Sequence, residues 1–528
     1  MSATDASPSR TVAIAFDEGA YLATFKDVTI ALANGAFRTA REHFDAFGAA
    51  EDRLADEAYI RALGLAPERA RPGRAIELTV DTIMCSRHGS VLITGWMDDR
   101  DSPVASISLF AGGRGWNTTA FSRVRRPDVE AVRPPARGHS FGFWAVLNLN
   151  GRLSITSPWV IRARRADGRL GEVKHKASLV SDTALRSAIL THFAATDYFG
   201  SRIVEGFLAL DSGIGEALVQ LNRRITASLI AGARVTHHGP VRKAYAGSVI
   251  VCLYGKPEFM FLQAAFFSAG NRAQDYEFVY VCNSPELIEL LEREASNCAR
   301  IYGMSIVLVS LPDNAGFGAA NNVAARFARS KRLLITNPDV FPRDEDWARR
   351  HTDIIENAPA AQTKLFGAPL YYDDGSLMHH GMYFEIDPGV SMRPGGIARS
   401  PMIRTEHYGK GVPRWTANFA CPRPVSAVSG AFMSVDRAWF EALGGFNEDF
   451  LFGHYEDCDL CLKSLSRGVP AWVQDFPLWH MEGKGSTKRQ AHEGGMQVNR
   501  WLFTRQWGDF ISRELWGPAP PCPALHAG

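Results

Sequence analysis

At 528 residues, with 46% hydrophobic and 22% charged content, the chain has a globular composition, and its length alone predicts about three domains. A balance of 58 Lys and Arg against 56 Asp and Glu, formal charge +2, gives no electrostatic case for nucleic acid or an anionic membrane. No stretch reaches the roughly 18 to 20 consecutive apolar residues of a spanning helix. The opening MSATDASPSR lacks the basic and apolar regions of a secretory signal, so a cytoplasmic protein without a transmembrane segment is expected.

Residues 1–72 read as a small helical module, with Phe16, Tyr21, Leu22, Phe25 and Val28 near helical spacing and Phe37, Phe44 and Phe47 as a second apolar set. Over 73–180 short alternating segments (75–80, 90–96, 105–110, 141–149, 159–164) are separated by Gly, Pro and Asp, which predicts a β-sandwich. Its Trp and Phe residues are core in the plainer reading and a sugar-binding surface in the alternative. Residues 181–246 carry apolar periodicity without strand signals, a helical connector that His237-His238-Gly239-Pro240 closes.

From 247 to 490 strands at 248–254, 277–282, 305–310 and 333–336 alternate with helices at 257–268, 285–302 and 316–329. Strands that are near-continuous apolar runs are buried on both faces. Their alternation with helices predicts an α/β domain on a mostly parallel sheet with flanking helices. Right-handed crossovers line up the carboxyl ends of such strands along one edge, where the ligand crevice opens. That edge is expected to hold Tyr254, Asn283, the 312–318 loop and Asp339. Residues 491–528 read as a C-terminal helix and tail.

The run 332–340, RLLITNPDV, is a strand that stops at Asn337-Pro338, because proline cannot donate to a ladder. Asp339 then sits just beyond the strand end, a candidate metal or substrate ligand. In the preceding loop, Asn314-Ala315-Gly316-Phe317-Gly318 forms a tight turn and a helix start that favours an anionic ligand. It is not a dinucleotide fingerprint, since Asn321 stands where the third glycine would be. His454-Tyr455-Glu456-Asp457-Cys458-Asp459 opens an amphipathic helix whose apolar stripe is Cys458, Cys461, Leu462 and Leu465. Cys458 and Cys461 have no second pair or flanking histidine, so that stripe, and not zinc, explains them. Three acids in the first turn exceed what compensation of the helix dipole asks for. A strand at 471–476 is followed by Pro477-Leu478-Trp479-His480, whose histidine can join Asp339 in a metal site.

Over about 248–485 these segments resemble the family 2 glycosyltransferases of the GT-A fold. Asn337-Pro338-Asp339-Val340 resembles the N-P-D variant of that family's D-x-D motif, and Asn314-x-Gly316-Phe317-Gly318-x-Ala320-Asn321-Asn322 its "N-x-G-f-x-x-A-x-N" loop. Asp374-Gly375-Ser376-Leu377-Met378-His379-His380-Gly381 resembles "D-G-s-i-q-H-a-G", and Ser429-Gly430-Ala431 the acceptor-side "t-G-a" turn. Gly444-Gly445-Phe446-Asn447-Glu448 with Tyr455-Glu456-Asp457-Cys458-Asp459-Leu460 resembles "G-G-F-d-E…y-E-D-x-D-L", and His480 matches the late histidine. The 1–72 and 73–180 segments resemble modules that accompany bacterial members. One departure stands out: Val281-Cys282-Asn283-Ser284 puts a cysteine where members carry a donor-contacting Asp.

The resemblance implies an inverting hexosyl or deoxyhexosyl transfer from a nucleotide-sugar donor to a polysaccharide, lipid-linked or protein acceptor, at most peripheral to the inner membrane. Asp339 and His480 would hold Mn²⁺ or Mg²⁺. Tyr254, Asn283, Asn314, Gly316, Asn321, Asn337 and Asp339 would contact the donor. Gly430, Glu456 and His379 would contact the acceptor, with Asp457 as general base and Glu456 beside it. The alternative is a non-catalytic sugar- or partner-binding protein on a GT-A scaffold, favoured by the missing acid at Cys282. A nucleotidyltransferase has only Tyr254-Gly255-Lys256-Pro257 in its support.

Overall fold

The computed structural model describes residues 11–67, 75–134, 139–196, 202–270, 272–393, 396–413, 419–487 and 489–516. They form two units, Met1–Leu221 with Val390–Ser400, and Asn222–Gly389 with Pro401–Gly528.

The first unit is built on two five-stranded sheets. One runs, in spatial order, Thr11–Ile14, Arg114–Thr118, Val104–Ala111, Trp159–Arg165, Leu170–His175, all antiparallel. The other runs Ser178–Val180, Glu77–Ser86, Ser90–Asp98, Gly142–Asn148, Ser122–Val124. Strand side chains alternate between faces, and that alternation builds two cores. Ile107, Leu109, Ile161 and Ala163 join Val91, Ile93 and Leu147 in one cluster. The intervening Phe110 and Val160 face away, into a second cluster with Tyr21, Phe44 and Tyr59 of the N-terminal helices. Trp116, Trp144 and Trp159 are buried, so these rings are core and present no sugar platform. Thr11–Ile14, inside the segment read as helical, is a strand of four residues, too short for periodicity to reveal.

The second unit centres on a nine-stranded sheet in the order Arg234–His238, Ser305–Ser310, Tyr276–Cys282, Gly247–Leu253, Arg332–Thr336, Phe432–Asp436, Leu365–Gly367, Ala471–Val473, Arg423–Val425. Ser305–Ser310, Tyr276–Cys282, Gly247–Leu253 and Arg332–Thr336 are mutually parallel and buried along their whole length, as apolar runs flanked by helices require. Phe432–Asp436 then pairs antiparallel with Arg332–Thr336, so the sheet is mixed. Arg234–His238, placed in the helical connector by sequence, is an antiparallel edge strand on Ser305–Ser310. Its two histidines are not a free turn: His238 Nε2 lies 3.0 Å from Glu292 and Nδ1 2.9 Å from Ser296. Truncating a buried strand residue such as Leu334 to Ala costs about 2–5 kcal/mol, because the rigid sheet cannot collapse onto the void.

A smaller sheet positions the site. Its order is Val340–Pro342, Leu478–His480, Leu370–Tyr371, Leu377–His379. The register sets Val340 opposite His480 and Leu370 opposite both Leu478 and His379. Two histidines 101 positions apart in sequence are thereby drawn into one small sheet. The last long helix is Gln490–Phe510; residues 517–528 of the expected tail lie outside the described residues. No helix among the described residues is long and apolar enough to cross a membrane.

Candidate active site

The three-residue turn Ser429-Gly430-Ala431, just before the antiparallel strand Phe432–Asp436, contains Gly430 and joins three more of the residues singled out by sequence, His379, Asp457 and Asn337. Ser429 N–H donates to His379 Nε2 at 3.3 Å, and Gly430 N–H donates to Asp457 Oδ2 at 2.8 Å. Ala431 C=O accepts from Asn337 N–H at 3.0 Å. One turn therefore ties the N-P-D strand end, the acidic helix and a buried histidine together. Gly430 lets the turn pack closely: an added Cβ would stand 3.2 Å from the Phe317 ring and 3.4 Å from Asp457 Cβ.

On the strand side of that turn, Asp339 is 2% exposed and His480 4%. His480 Nε2 lies 3.4 Å from Asp339 Oδ1, while Oδ2 accepts Lys484 N–H at 3.1 Å and Gly485 N–H at 2.8 Å. Asp339 thus does more than end a strand: it also holds the loop after His480, and the close approach requires Gly485, whose added Cβ would meet Asp339 Cγ at 2.8 Å. His480 Nδ1 is buried with no hydrogen-bond partner among the described residues. An oxygen and an imidazole nitrogen 3.4 Å apart suit two ligands of one small cation, with bonds of about 2.0–2.2 Å. Among the described residues no group of three or more His, Cys, Asp or Glu could hold a metal ion, so Asp339 and His480 stand as a pair and not as part of a larger ligand cluster.

Asn283, Asn314, Asn321 and Asn322 bond to protein. Asn283 donates to Asn314 Oδ1 at 2.9 Å and accepts Ala315 N–H at 2.9 Å; Asn314 Oδ1 also accepts Gly316 N–H at 2.9 Å. Gly316 has φ +87°, and a Cβ there would meet Phe452 N at 3.0 Å, so the loop closes only with glycine. Asn321 is fully buried and donates to Phe317 C=O at 2.8 Å one turn back, which leaves it no surface for a ligand. Its neighbour Asn322 does the longer-range work. It donates to Phe446 C=O and Glu448 Oε1, each at 2.9 Å, and accepts Phe446 N–H at 2.9 Å, clamping the Gly444–Glu448 turn to the helix Phe317–Phe327. Tyr254 packs its half-buried ring against His492 at 5.3 Å and under Arg489 at 5.7 Å. Cys282 is buried; its thiol donates to Ser284 C=O at 3.1 Å and is pushed up to about 11 by burial.

The three acids sort by surroundings. Asp459 is buried, bound to Lys463 Nζ at 2.7 Å and Trp507 Nε1 at 2.9 Å, a structural anchor. Glu456 is 5% exposed, and burial, followed by the neighbouring Asp457 charge, pushes its carboxyl up to about 8. Asp457 is half-buried and accepts Gly430 N–H and Cys458 N–H, each at 2.8 Å, with lone pairs to spare on both oxygens. The backbone before this helix is strained: Phe452, His454 and Tyr455 have φ of +58°, +83° and +75°. Such residues cost about 1–3 kcal/mol each and persist only where the surroundings over-determine them. Here Asn499 does so, donating to Leu451, Gly453 and His454 carbonyls at 2.9, 2.7 and 3.1 Å and accepting Leu451 N–H at 2.7 Å.

His379, expected at the acceptor, is 1% exposed and held well below the usual imidazole range by burial. Its Nδ1 meets His407 Nδ1 at 2.8 Å. Asn322, Asn499 and His407 were not singled out by sequence. Asn322 stood inside a quoted motif, one position from the residue chosen, whereas Asn499 and His407 leave no local signal.

No family model matches the chain. It is 29% identical over 196 residues to "Uncharacterized protein y4gI" of Sinorhizobium fredii, covering 36% of this chain and 20% of that protein. It is 26% identical over 237 residues to the O-antigen biosynthesis protein RfbC of Myxococcus xanthus, covering 44% of this chain and 17% of that protein. The chain therefore spans a fifth or less of the length of these curated relatives. Matched solved structures are glycosyltransferases. GalNAc-T7 with UDP, GalNAc and Mn²⁺ gives a TM-score of 0.35 at 13% identity, covering 50% of this chain and 49% of that one. Mannosyltransferase PcManGT of Pyrobaculum calidifontis with GDP-Man and Mn²⁺ gives 0.33 at 15%, covering 63% and 78%.

Proposed function

We propose that the second unit is a glycosyltransferase that moves a hexosyl or deoxyhexosyl group from a nucleotide-sugar donor to an acceptor hydroxyl by inverting displacement. The observation that carries this reading is the Ser429-Gly430-Ala431 turn, whose consecutive residues bond His379, Asp457 and Asn337. An acid with spare lone pairs and a buried Asp–His pair beyond a strand end are what such a transfer needs.

In this reading Asp457 accepts the proton of the attacking hydroxyl as the oxygen forms its bond to the anomeric carbon. The bond from that carbon to the diphosphate oxygen breaks, and its electron pair leaves with the nucleoside diphosphate. Mn²⁺ or Mg²⁺ at Asp339 and His480 would supply positive charge to the departing diphosphate. Glu456, protonated over much of the neutral range, keeps a second negative charge away from Asp457. Asn283, Asn314 and Gly316 shape the loop against which the donor lies, with backbone groups in place of the acid lost at Cys282. A cytoplasmic site of action belongs to the same reading, and the similarity to an O-antigen biosynthesis protein makes a surface polysaccharide the first acceptor class to assay.

The test is a thermal-shift screen of nucleotide sugars with and without Mn²⁺, followed by transfer assays. A donor that stabilises only with Mn²⁺, and transfer lost in Asp457→Asn, support the reading. The buried Cys282 favours the second reading, a non-catalytic sugar-binding protein; stabilisation by a sugar with neither transfer nor donor hydrolysis would select it.

A further inference from the structure

His379 and His407 face each other through their Nδ1 atoms at 2.8 Å, so one must donate and the other accept. The backbone decides which. His379 Nε2 lies 3.2 Å from Gly381 N and 3.3 Å from Ser429 N. Both amides can only donate, so Nε2 is the lone-pair nitrogen, and neutral His379 carries its proton on Nδ1. That proton points at His407 Nδ1, which accepts. The proton of His407 therefore sits on Nε2.

The position of that N–H follows from three contacts. His407 ends the strand Met402–His407, and Thr405, on the same face, lies 3.7 Å from the Sγ of Cys458, the residue after Asp457. The Ser429 amide held by His379 is followed directly by the Gly430 amide held by Asp457. Asp457 also exerts the largest charge effect on the His407 ring. His407 is half-buried, and its Nε2 has no hydrogen-bond partner among the described residues. A donor whose tautomer is fixed thus stands within reach of the proposed base's charge, without a hydrogen-bond partner among the described residues.

We infer that His407 binds the acceptor, its Nε2–H donating to a hydroxyl oxygen of the acceptor sugar beside Asp457, with His379 as the positioning residue that fixes the proton. The inference rests on the transferase reading above and assigns to His407 the contact that sequence gave to His379. It explains why a fully buried histidine stands at this edge: His379 acts one ring away.

Imidazole ¹⁵N–¹H spectra of the full chain labelled with ¹⁵N-histidine, titrated with methyl glucoside, galactoside, mannoside and rhamnoside, test it without needing turnover. The expected result is an Nε2-protonated His407, identified by its loss in His407→Gln, whose Nε2 resonance moves with at least one glycoside. An Nδ1-protonated His407, or a resonance that none of the four moves, overturns the inference. In transfer assays, His407→Phe should raise acceptor KM about tenfold, the size of one lost hydrogen bond, and leave donor affinity within about twofold. His407→Gln, whose amide nitrogen can reach the Nε2 position, should recover most of that loss. Unchanged acceptor KM in His407→Phe, or an equal fall in donor affinity, also overturns it. A wild-type protein that transfers no sugar defeats the transferase reading instead, and the titration still decides His407.

Discussion

At the proposed donor end, Asn283, Asn314, Asn321 and Asn322 bond to one another, to backbone and to Glu448, around the charged Asp339–His480 pair. At the acceptor end the reverse holds. Asp457 is anchored by two backbone amides yet retains lone pairs, and His407 presents a donor fixed by the ring behind it. The donor end is a set of locked loops around one charged pair, and the acceptor end a set of aimed side chains on a strained turn. Substitutions at the donor end should act on shape and binding together, whereas those at the acceptor end should separate turnover from binding.

The sharpest way to break this contrast is Asp339→Asn, expected to abolish both Mn²⁺-dependent donor binding and transfer. Alanine is the poorer choice, since it would also free the Lys484 and Gly485 amides and release the loop. Calorimetry showing donor affinity intact in Asp339→Asn, or full activity in excess EDTA, would remove the metal from the mechanism. Asp457→Asn comes next: turnover should fall on the order of 10² to 10⁴, as for loss of a positioned base, with donor affinity within about twofold. Parallel measurement of donor Kd and single-turnover rate decides this, and a rate within about threefold of wild type shifts the base elsewhere.

Asn322→Ala tests the locked side. It removes three hydrogen bonds between the helix Phe317–Phe327 and the Gly444–Glu448 turn and leaves buried groups unpaired, so denaturant unfolding should show a loss of about 1–3 kcal/mol. A surviving fold with unchanged midpoint would mean the clamp is dispensable. The last test is electrostatic. Burial and the Asp457 charge raise Glu456 from 4.5 to about 8, so the folded chain keeps a proton that the unfolded chain releases. Stability from this group is fully present below about 4.5 and is lost as pH rises through about 8. Glu456→Gln cannot ionise, so its Tm should equal that of wild type at low pH and exceed it at pH above about 8. A wild-type Tm that rises across that window contradicts the buried, protonated carboxyl.

Legibility in the sequence followed chemistry that is local. The strand 332–336 stopped by Pro338, the buried strands 277–282 and 305–310 and the turn at Gly316 were readable because apolar runs, proline and glycine act through a few neighbouring bonds. Edge strands such as Thr11–Ile14 and Arg234–His238 were missed because four or five residues carry no period and take their identity from the partner they pair with.

The sequence by itself determined which residue types reach the carboxyl edge of the sheet, since strand ends and helix starts are set by backbone conformation along a few residues. Only the tertiary structure decided what each does there. Asp457 and Glu456 are adjacent in sequence, yet one is half-buried and the other buried, because a helix turns about 100° per residue and only packing says which direction is solvent. Asn321 and Asn322 divide in the same way. His407 became visible only when the small sheet and the Ser429 turn brought His379 against it, and the direction of its proton was set by two amides, Gly381 and Ser429, that lie far from it along the chain. Burial and hydrogen-bond partnership are properties of distant segments meeting, which residue type and local spacing do not encode.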